Sequence, residues 1–461
     1  MITQLTHFFK IRINIALAVL FFFFIGVFNN TNAQVSVTAT LGTVGPTSYS
    51  TLSQAFSAIN SGTHKGAINI TITGTVNEIT VTSLLNGVTA PASYSSISIK
   101  PSGDASILMA TPVANRAIIE LQGADNVTID GDDPATAGIR NLTVAYTSTA
   151  ATAAAVIRVS SNSATGTDGA NNNTIKNCIL TGNRVVGGTT ATYGINMSNY
   201  SLTSLGGGGA SSINNTFENN FITTVYHGIW ASGLAPYYNT GLRIRNNVLG
   251  NGTPAGNIGT RGILISNSAS ASDATSAIIS GNDIQGGDPT GAGYSATVAG
   301  IEIGTQNTGI QIYNNNIHDI RQPSVSGFGA IGIYVTGSAG NTSANIYNNV
   351  IRDMVASFYT ITSTAAASTY GILFTAGATN YAIDYNTIVL KTSPTTGALT
   401  TTAITACINM SVAGVTLSSF RNNIIVNTIS TTASYGLYCA APTNIPAINL
   451  INNNNYYVAT G

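Results

Sequence analysis

The chain has 461 residues with sixteen basic and sixteen acidic side chains, and only 7% of its residues are charged against 44% apolar. That balance excludes a disordered chain, which combines few apolar residues with a high net charge, and basic residues too few and scattered for a binding surface exclude nucleic acid as a partner. The polar remainder is dominated by Thr, Ser, Asn and Gly, which suits strands and turns rather than helices.

Residues 1–33 read as a signal peptide. Lys10 and Arg12 form a basic start, Ile15 to Phe28 is an unbroken apolar run, and Thr31-Asn32-Ala33 supplies the cleavage site. The run is shorter than the roughly 20 residues a spanning helix needs, so the mature chain is expected to have no membrane span. Loss of Lys10 and Arg12 leaves it slightly acidic.

Residues 34–66 are expected to form an N-terminal cap. Thr51-Leu52-Ser53-Gln54 has the form of a capping box, and Leu52, Ala55, Phe56 and Ile59 fall on one face of a short helix. Such a helix would cover the open first coil of a repeat structure. From residue 67 onward, alternation with period two marks strands in Ile68-Asn69-Ile70-Thr71-Ile72, Ile97-Ser98-Ile99 and Val127-Thr128-Ile129-Asp130.

A repeat then becomes regular. An apolar residue, a variable one, two polar positions rich in Asn and a further apolar residue recur from Ile175-Lys176-Asn177-Cys178-Ile179 through Phe217-Glu218-Asn219-Asn220-Phe221 to Leu450-Ile451-Asn452-Asn453. The second polar position falls on Cys178, Asn220, Asn247, Asn282, Asn315, Asn349, Asn386, Asn423 and Asn453, with a mean step of about 34 residues. A second strand follows each of the first eight copies, from Gly194-Ile195-Asn196-Met197 to Gly436-Leu437-Tyr438-Cys439. Two half-buried strands per repeat cannot cover their apolar faces alone, so the coils must stack. The amides from Asn220 to Asn453 are expected to form a structural ladder, each donating to one neighbouring coil and accepting from the other. The glycines are expected at backbone corners. A leucine-rich repeat would have a shorter period and Leu-dominated positions, and a propeller would need four strands per repeat and more than the single Trp230.

Cys178, Cys407 and Cys439 are an odd number without a Cys/His cluster, so neither a disulfide framework nor a metal site is predicted. Cys407 and Cys439 are expected on opposite faces. The chain stops after Asn452-Asn453-Asn454-Asn455-Tyr456-Tyr457 and four more residues, in mid-coil; residues 67–461 therefore read as a β-helix truncated at its C-terminus.

The Ile-x-Asn-Asn-x-Ile and Gly-Ile-x-Ile alternation, with the opening segment from Leu52 to Gly62, resembles the pectin-lyase-like right-handed parallel β-helix proteins. More narrowly, it resembles the repetitive surface proteins that Gram-negative bacteria export. The resemblance implies an all-β solenoid, secreted or held at the outer surface, and it implies two chemistries to look for. Hydrolases of this kind carry paired carboxylates; lyases carry an acidic calcium cluster with an Arg or Lys base.

Neither pattern is complete. Asp132-Asp133 is the single adjacent carboxylate pair, sits in a turn sequence and lies about three coils before His227. The variable position of the repeat runs Lys176, Glu218, Arg245, Ser280, Tyr313, Tyr347, Asp384, Arg421, which reads first as a solvated charge ladder. A carbohydrate groove is the competing reading, built from Glu218, Tyr226, His227, Trp230, Arg243 and Arg245 on two adjacent coils. The expectation is an exported, monomeric, non-catalytic β-helix with an adhesive, glycan-binding or structural role and no cofactor. The alternative is a divergent polysaccharide lyase or glycoside hydrolase, with calcium expected only for the lyase.

Overall fold

The computed structural model describes residues 34–79, 82–136, 138, 140–162, 168–198, 209–267, 276–287, 296–322, 328–337, 343–356, 368–391, 404–410, 412–429, 433–439 and 447–459. The expected signal peptide, residues 1–33, lies outside them.

The first strand, β1 (Val35–Gly42), pairs antiparallel with β2 (Thr47–Tyr49) and with β3 (His64–Asn77). Its alternating Val35, Val37 and Ala39 close one end of the core. The helix α1 (Leu52–Asn60) buries Leu52, Ala55, Phe56 and Ile59, as its spacing predicts. Thr51 caps it by accepting from the Gln54 N–H at 3.2 Å, while Gln54 reaches back to the Ser50 N–H at 3.1 Å, one residue before the position a capping box would use. The carboxylate of Glu78, just past the end of β3, accepts from the Leu52 and Ser53 N–H groups. A negative group there suits the positive end of the helix. Asn60 donates to the Leu84 carbonyl and accepts from the Asn86 N–H, which ties α1 to β4 (Ser83–Asn86). The N-terminal end is thus covered by two elements, and the antiparallel β1 is the one the sequence reading did not separate from the helix.

Beyond the cap the strands stack in parallel. Among the described residues, a sheet of 26 strands carries the segments on both sides of each Asn pair, and a sheet of 11 carries the Gly-Ile strands. Crossovers between parallel strands take the right-handed sense, and the architecture is the expected all-β parallel β-helix. The register keeps like positions together: Ile175 lies beside Phe217 and Phe217 beside Ile244, while Ile195 lies beside Ile229 and Ile229 beside Ile263. These rows belong to one continuous buried core. Each buried Ile or Phe contributes about 1.5–3 kcal/mol relative to exposure.

The Asn pairs divide two tasks. The first member turns the chain through the left-handed region, with φ of 58° at Asn177, 52° at Asn219 and 57° at Asn246. The second forms the ladder. The Asn282 N–H and Nδ2 both donate to Oδ1 of Asn315, at 3.0 and 2.9 Å, and Nδ2 of Asn315 donates back to the Ile279 carbonyl at 3.0 Å. The same pattern runs through Asn220, Asn247, Asn349, Asn386 and Asn423. At its end a correction is required. Asn454, not Asn453, accepts from the Asn423 N–H and Nδ2, at 3.0 and 2.9 Å, whereas Asn453 takes the turn position with φ of 53°. Four consecutive asparagines hide the register, which is fixed instead by Arg421 lying beside Asn452.

The glycines also differ from expectation. Gly194, Gly262, Gly300, Gly332 and Gly371 lie inside the strands of the smaller sheet, where a Cβ would come within about 2.5 Å of Ile222, Ile284, Ile317, Ile351 and Ile388 across the core. They are contact points between sheets, not corners. Because this position breaks the alternation, Cys407 in the same row points inward, and both it and Cys439 pack on the common core instead of facing opposite ways. All three cysteines are free, and burial raises the thiols of Cys178 and Cys407 to about 12.

Candidate functional site: an open groove on the ladder face

The six residues expected to form a groove do not come together. Glu218, Arg243 and Arg245 lie on strands of the larger sheet, and His227 and Trp230 on a strand of the smaller one, with Tyr226 immediately before it. Ile244 and Ile229 of the common core separate the two groups. Adjacency in sequence did not give adjacency in space, because one coil distributes its strands over two sheets.

Each group has a structural occupation. Glu218 and Arg245 form an ion pair at 3.1 Å that is partly exposed, the kind worth at most about 1 kcal/mol. Arg243 donates to the Leu242 and Ser276 carbonyls. His227 is enclosed by Tyr193, Tyr226 and Trp230, with ring centroids 5.0, 4.8 and 4.7 Å away. Burial, and then the charge of Arg261, hold its imidazole well below the ordinary value, so it is neutral. Asp132 and Asp133 accept from the Gly138, Ala135 and Gly103 N–H groups, which fixes a turn and leaves no carboxylate pair facing solvent together.

The outward row of the larger sheet does stack as expected. Glu218 lies beside Lys176 and Arg245, Tyr313 beside Tyr347, Tyr347 beside Asp384, and Asp384 beside Arg421. Asp130 begins the row between Lys100 and Lys176, 3.3 Å from each.

Near its far end the row becomes concave. Gln311, Asn345, Ile346, Tyr347, Ala382, Asp384, Tyr385, Ser419 and Arg421 line an open groove of about 440 Å³. Tyr313 and Tyr347 are stacked, centroids 4.9 Å apart and planes 13° from parallel. Asp384 is held down by three donors: Ser419 Oγ at 2.7 Å, the Arg421 N–H at 3.1 Å and Arg421 Nε at 3.2 Å.

Two departures from the repeat meet here. The pairing register slips between Tyr381 and Ala382, which places one extra residue in the strand Thr416–Arg421. Bulges re-aim side chains in this way next to binding sites. The second departure is Tyr385. Asn or Gly occupies the left-handed turn position at 177, 219, 246, 281, 314, 348, 422 and 453, but at 385 a tyrosine takes it, with φ of 60° and 53% of its surface exposed. A bulky side chain in this conformation costs about 1–2 kcal/mol. The sequence signal was present in Ile383-Asp384-Tyr385-Asn386, where Tyr stands in place of the first Asn.

No protein-family model and no curated protein matches the sequence. Solved structures share the architecture at low identity. The A-module of mannuronan C-5 epimerase AlgE6 from Azotobacter vinelandii is 15% identical over 82% of this chain and 90% of that one, with a TM-score of 0.43. The enzymatically active domain of bacteriophage CBA120 tailspike protein 2 is 15% identical over 88% of this chain and 50% of that one, TM-score 0.45. The tailspike protein of E. coli bacteriophage HK620, solved with a pentasaccharide, is 12% identical over 87% and 76%, TM-score 0.38.

Proposed function

We propose that the protein is an exported, monomeric, non-catalytic β-helix that binds glycan at the groove around Tyr347, Asp384 and Tyr385. Tyr385 carries this reading. Asn or Gly holds that turn in the neighbouring coils at lower cost, which supports reading the exposed phenol as a contact for something outside the chain. A shallow groove with aromatic faces, amides and one carboxylate matches the surface a sugar presents, which is apolar on its ring faces and hydroxylated at its edges.

The chemistry of the lining supports binding without turnover. Asp384 is its one carboxylate, whereas glycoside hydrolysis in its common form needs two. The basic and apolar start of residues 1–33 supports export. No helix among the described residues is long and apolar enough to cross a membrane. A glycan-array screen of the purified protein, with calcium and with chelator, tests the reading. Binding without released product is expected; calcium-dependent unsaturated product would replace it with a lyase, and no binding to any glycan would remove it.

A further inference from the structure

The shape of the groove narrows its occupant, given the glycan-binding reading above. We infer that the space between Tyr347 and Arg421 is a slot for one uncharged sugar ring standing across the helix axis, which makes the ligand a branch or chain-end residue rather than the interior of a polymer.

Tyr347, Asp384 and Arg421 occupy one outward position in three successive coils. With strands about 4.8 Å apart, the first and third lie about 9.6 Å from each other along the axis. The residue between them does not fill that gap, because Asp384 is pulled down onto Ser419 and the Arg421 main chain and its side chain is 11% exposed. Ala382 and Ser419 beside it keep the floor low. Non-bonded contact needs about 3.5–4.0 Å on each side of an inserted ring, and Arg421 reaches in toward Asp384, so the gap admits at most one ring.

Orientation follows from the tyrosines. Tyr313 covers one face of Tyr347 in a nearly parallel stack, which turns the other face along the axis into the slot. A ring resting on that face stands edge-down between the walls. A polymer running along the outer sheet would instead meet the edges of the two stacked rings and pass over the slot. Gln311 and Asn345, joined by a hydrogen bond at 3.2 Å, and exposed Tyr385 stand at the rim, where they meet the next sugar or its hydroxyls.

Charge selects within that class. Asp384 and Arg421 are the two ionised groups of the lining, and they compensate one another at 3.2 Å. An acidic sugar would meet the Asp384 carboxylate with its countercharge already engaged. A neutral ring can donate a hydroxyl to Oδ1, which accepts one hydrogen bond, from the Arg421 N–H, while Oδ2 already accepts two.

The test is titration of the purified protein with paired polysaccharides: branched galactomannan against unbranched mannan, branched xyloglucan against linear cello-oligosaccharides, and polygalacturonate as the acidic arm. Affinity is expected to follow the concentration of branch and chain ends, with polygalacturonate the weakest. Tyr347→Ala and the slot-filling Ala382→Phe should each weaken binding about tenfold; Ala382→Phe should melt as the wild type does, whereas Tyr347→Ala also gives up the stack on Tyr313 and should melt slightly lower. Affinity that rises with the length of an unbranched chain, a preference for polygalacturonate, or full binding by the well-folded Ala382→Phe protein would overturn the slot while leaving glycan binding intact. Absence of binding in every arm would overturn the glycan reading itself.

Discussion

Tyr385 follows Asn348 by one coil in the same left-handed turn position, with φ of 60° against 53°. The two residues bear the same backbone conformation with very different ease. Asn enters this region at small cost and Tyr at about 1–2 kcal/mol. Tyr385→Asn is therefore expected to stabilise the protein by about 1 kcal/mol, read as a higher denaturation midpoint in urea.

The ladder makes the opposite kind of prediction. Asn315→Ala removes the acceptor of the Asn282 N–H and Nδ2 and the donor to the Ile279 carbonyl, all buried. At about 1–3 kcal/mol for each group left without a partner, the loss should be at least about 3 kcal/mol. The same substitution at Asn454, where the ladder reaches its last described rung and is partly accessible to water, should cost less. Equilibrium unfolding of the two variants checks the difference, and equal losses would contradict the account of the ladder.

Tyr381 is fully buried, with its hydroxyl unpartnered and its ring edge-on to Phe374 at 5.6 Å. Burial raises the phenol far above its ordinary value, so it stays protonated. Tyr381→Phe keeps the ring and removes the unpaired polar atom, and is expected to raise stability by about 1 kcal/mol. A loss of stability in calorimetry would mean that the hydroxyl has a partner such as a buried water.

Much of this was legible in the sequence, for identifiable reasons. Cap residues Leu52 and Phe56, the outward row from Lys176 to Arg421 and most ladder asparagines follow from periodicities of 3.6, of two and of one coil, all intrinsic to backbone geometry. A shorter second ladder was missed: Asn173 accepts from the Val127 N–H and Asn215 from the Asn173 N–H, at 2.9 and 3.0 Å. Its signal, the pairs Asn172-Asn173 and Asn214-Asn215, was present but stood beside the more regular copies. The six residues from Glu218 to Arg245 are near in sequence, and the structure divides them between two sheets. Trp230 and His227 stand out in composition yet pack against each other on the smaller sheet, whereas the groove depends on an ordinary Tyr in an unusual backbone position and on a one-residue bulge. The tyrosine shows in the sequence as a missing first Asn, whereas the bulge shows only in the pairing register.

Acid should weaken the fold through Asp130. Burial acts to raise its pKa, but the hydrogen bonds from Asn177 and the Asp132 N–H and the charges of Lys176 and Lys100 outweigh it, and the net shift is downward. A carboxyl depressed in the folded state stabilises fully above its unfolded pKa, near 3.9, and loses that contribution as pH falls through the folded value. Glu78 has the opposite sign: burial raises it despite the N–H groups of Leu52 and Ser53, so its ionisation weakens the fold as pH rises through the raised value. Melting temperature should fall below about pH 4, less steeply in Asp130→Asn. Glu78→Gln, which keeps an acceptor for α1 without the charge, should steepen that acid limb.

The most direct measurement compares the wild-type protein with Tyr385→Asn, by urea midpoint and by glycan binding in the same preparation. If the tyrosine is held in a costly conformation for its contact with sugar, the variant unfolds at higher urea and binds the wild-type ligand several-fold more weakly. A variant that is no more stable and binds as the wild type does would show that Tyr385 serves neither strain nor recognition, and the assignment of the groove would fall with it.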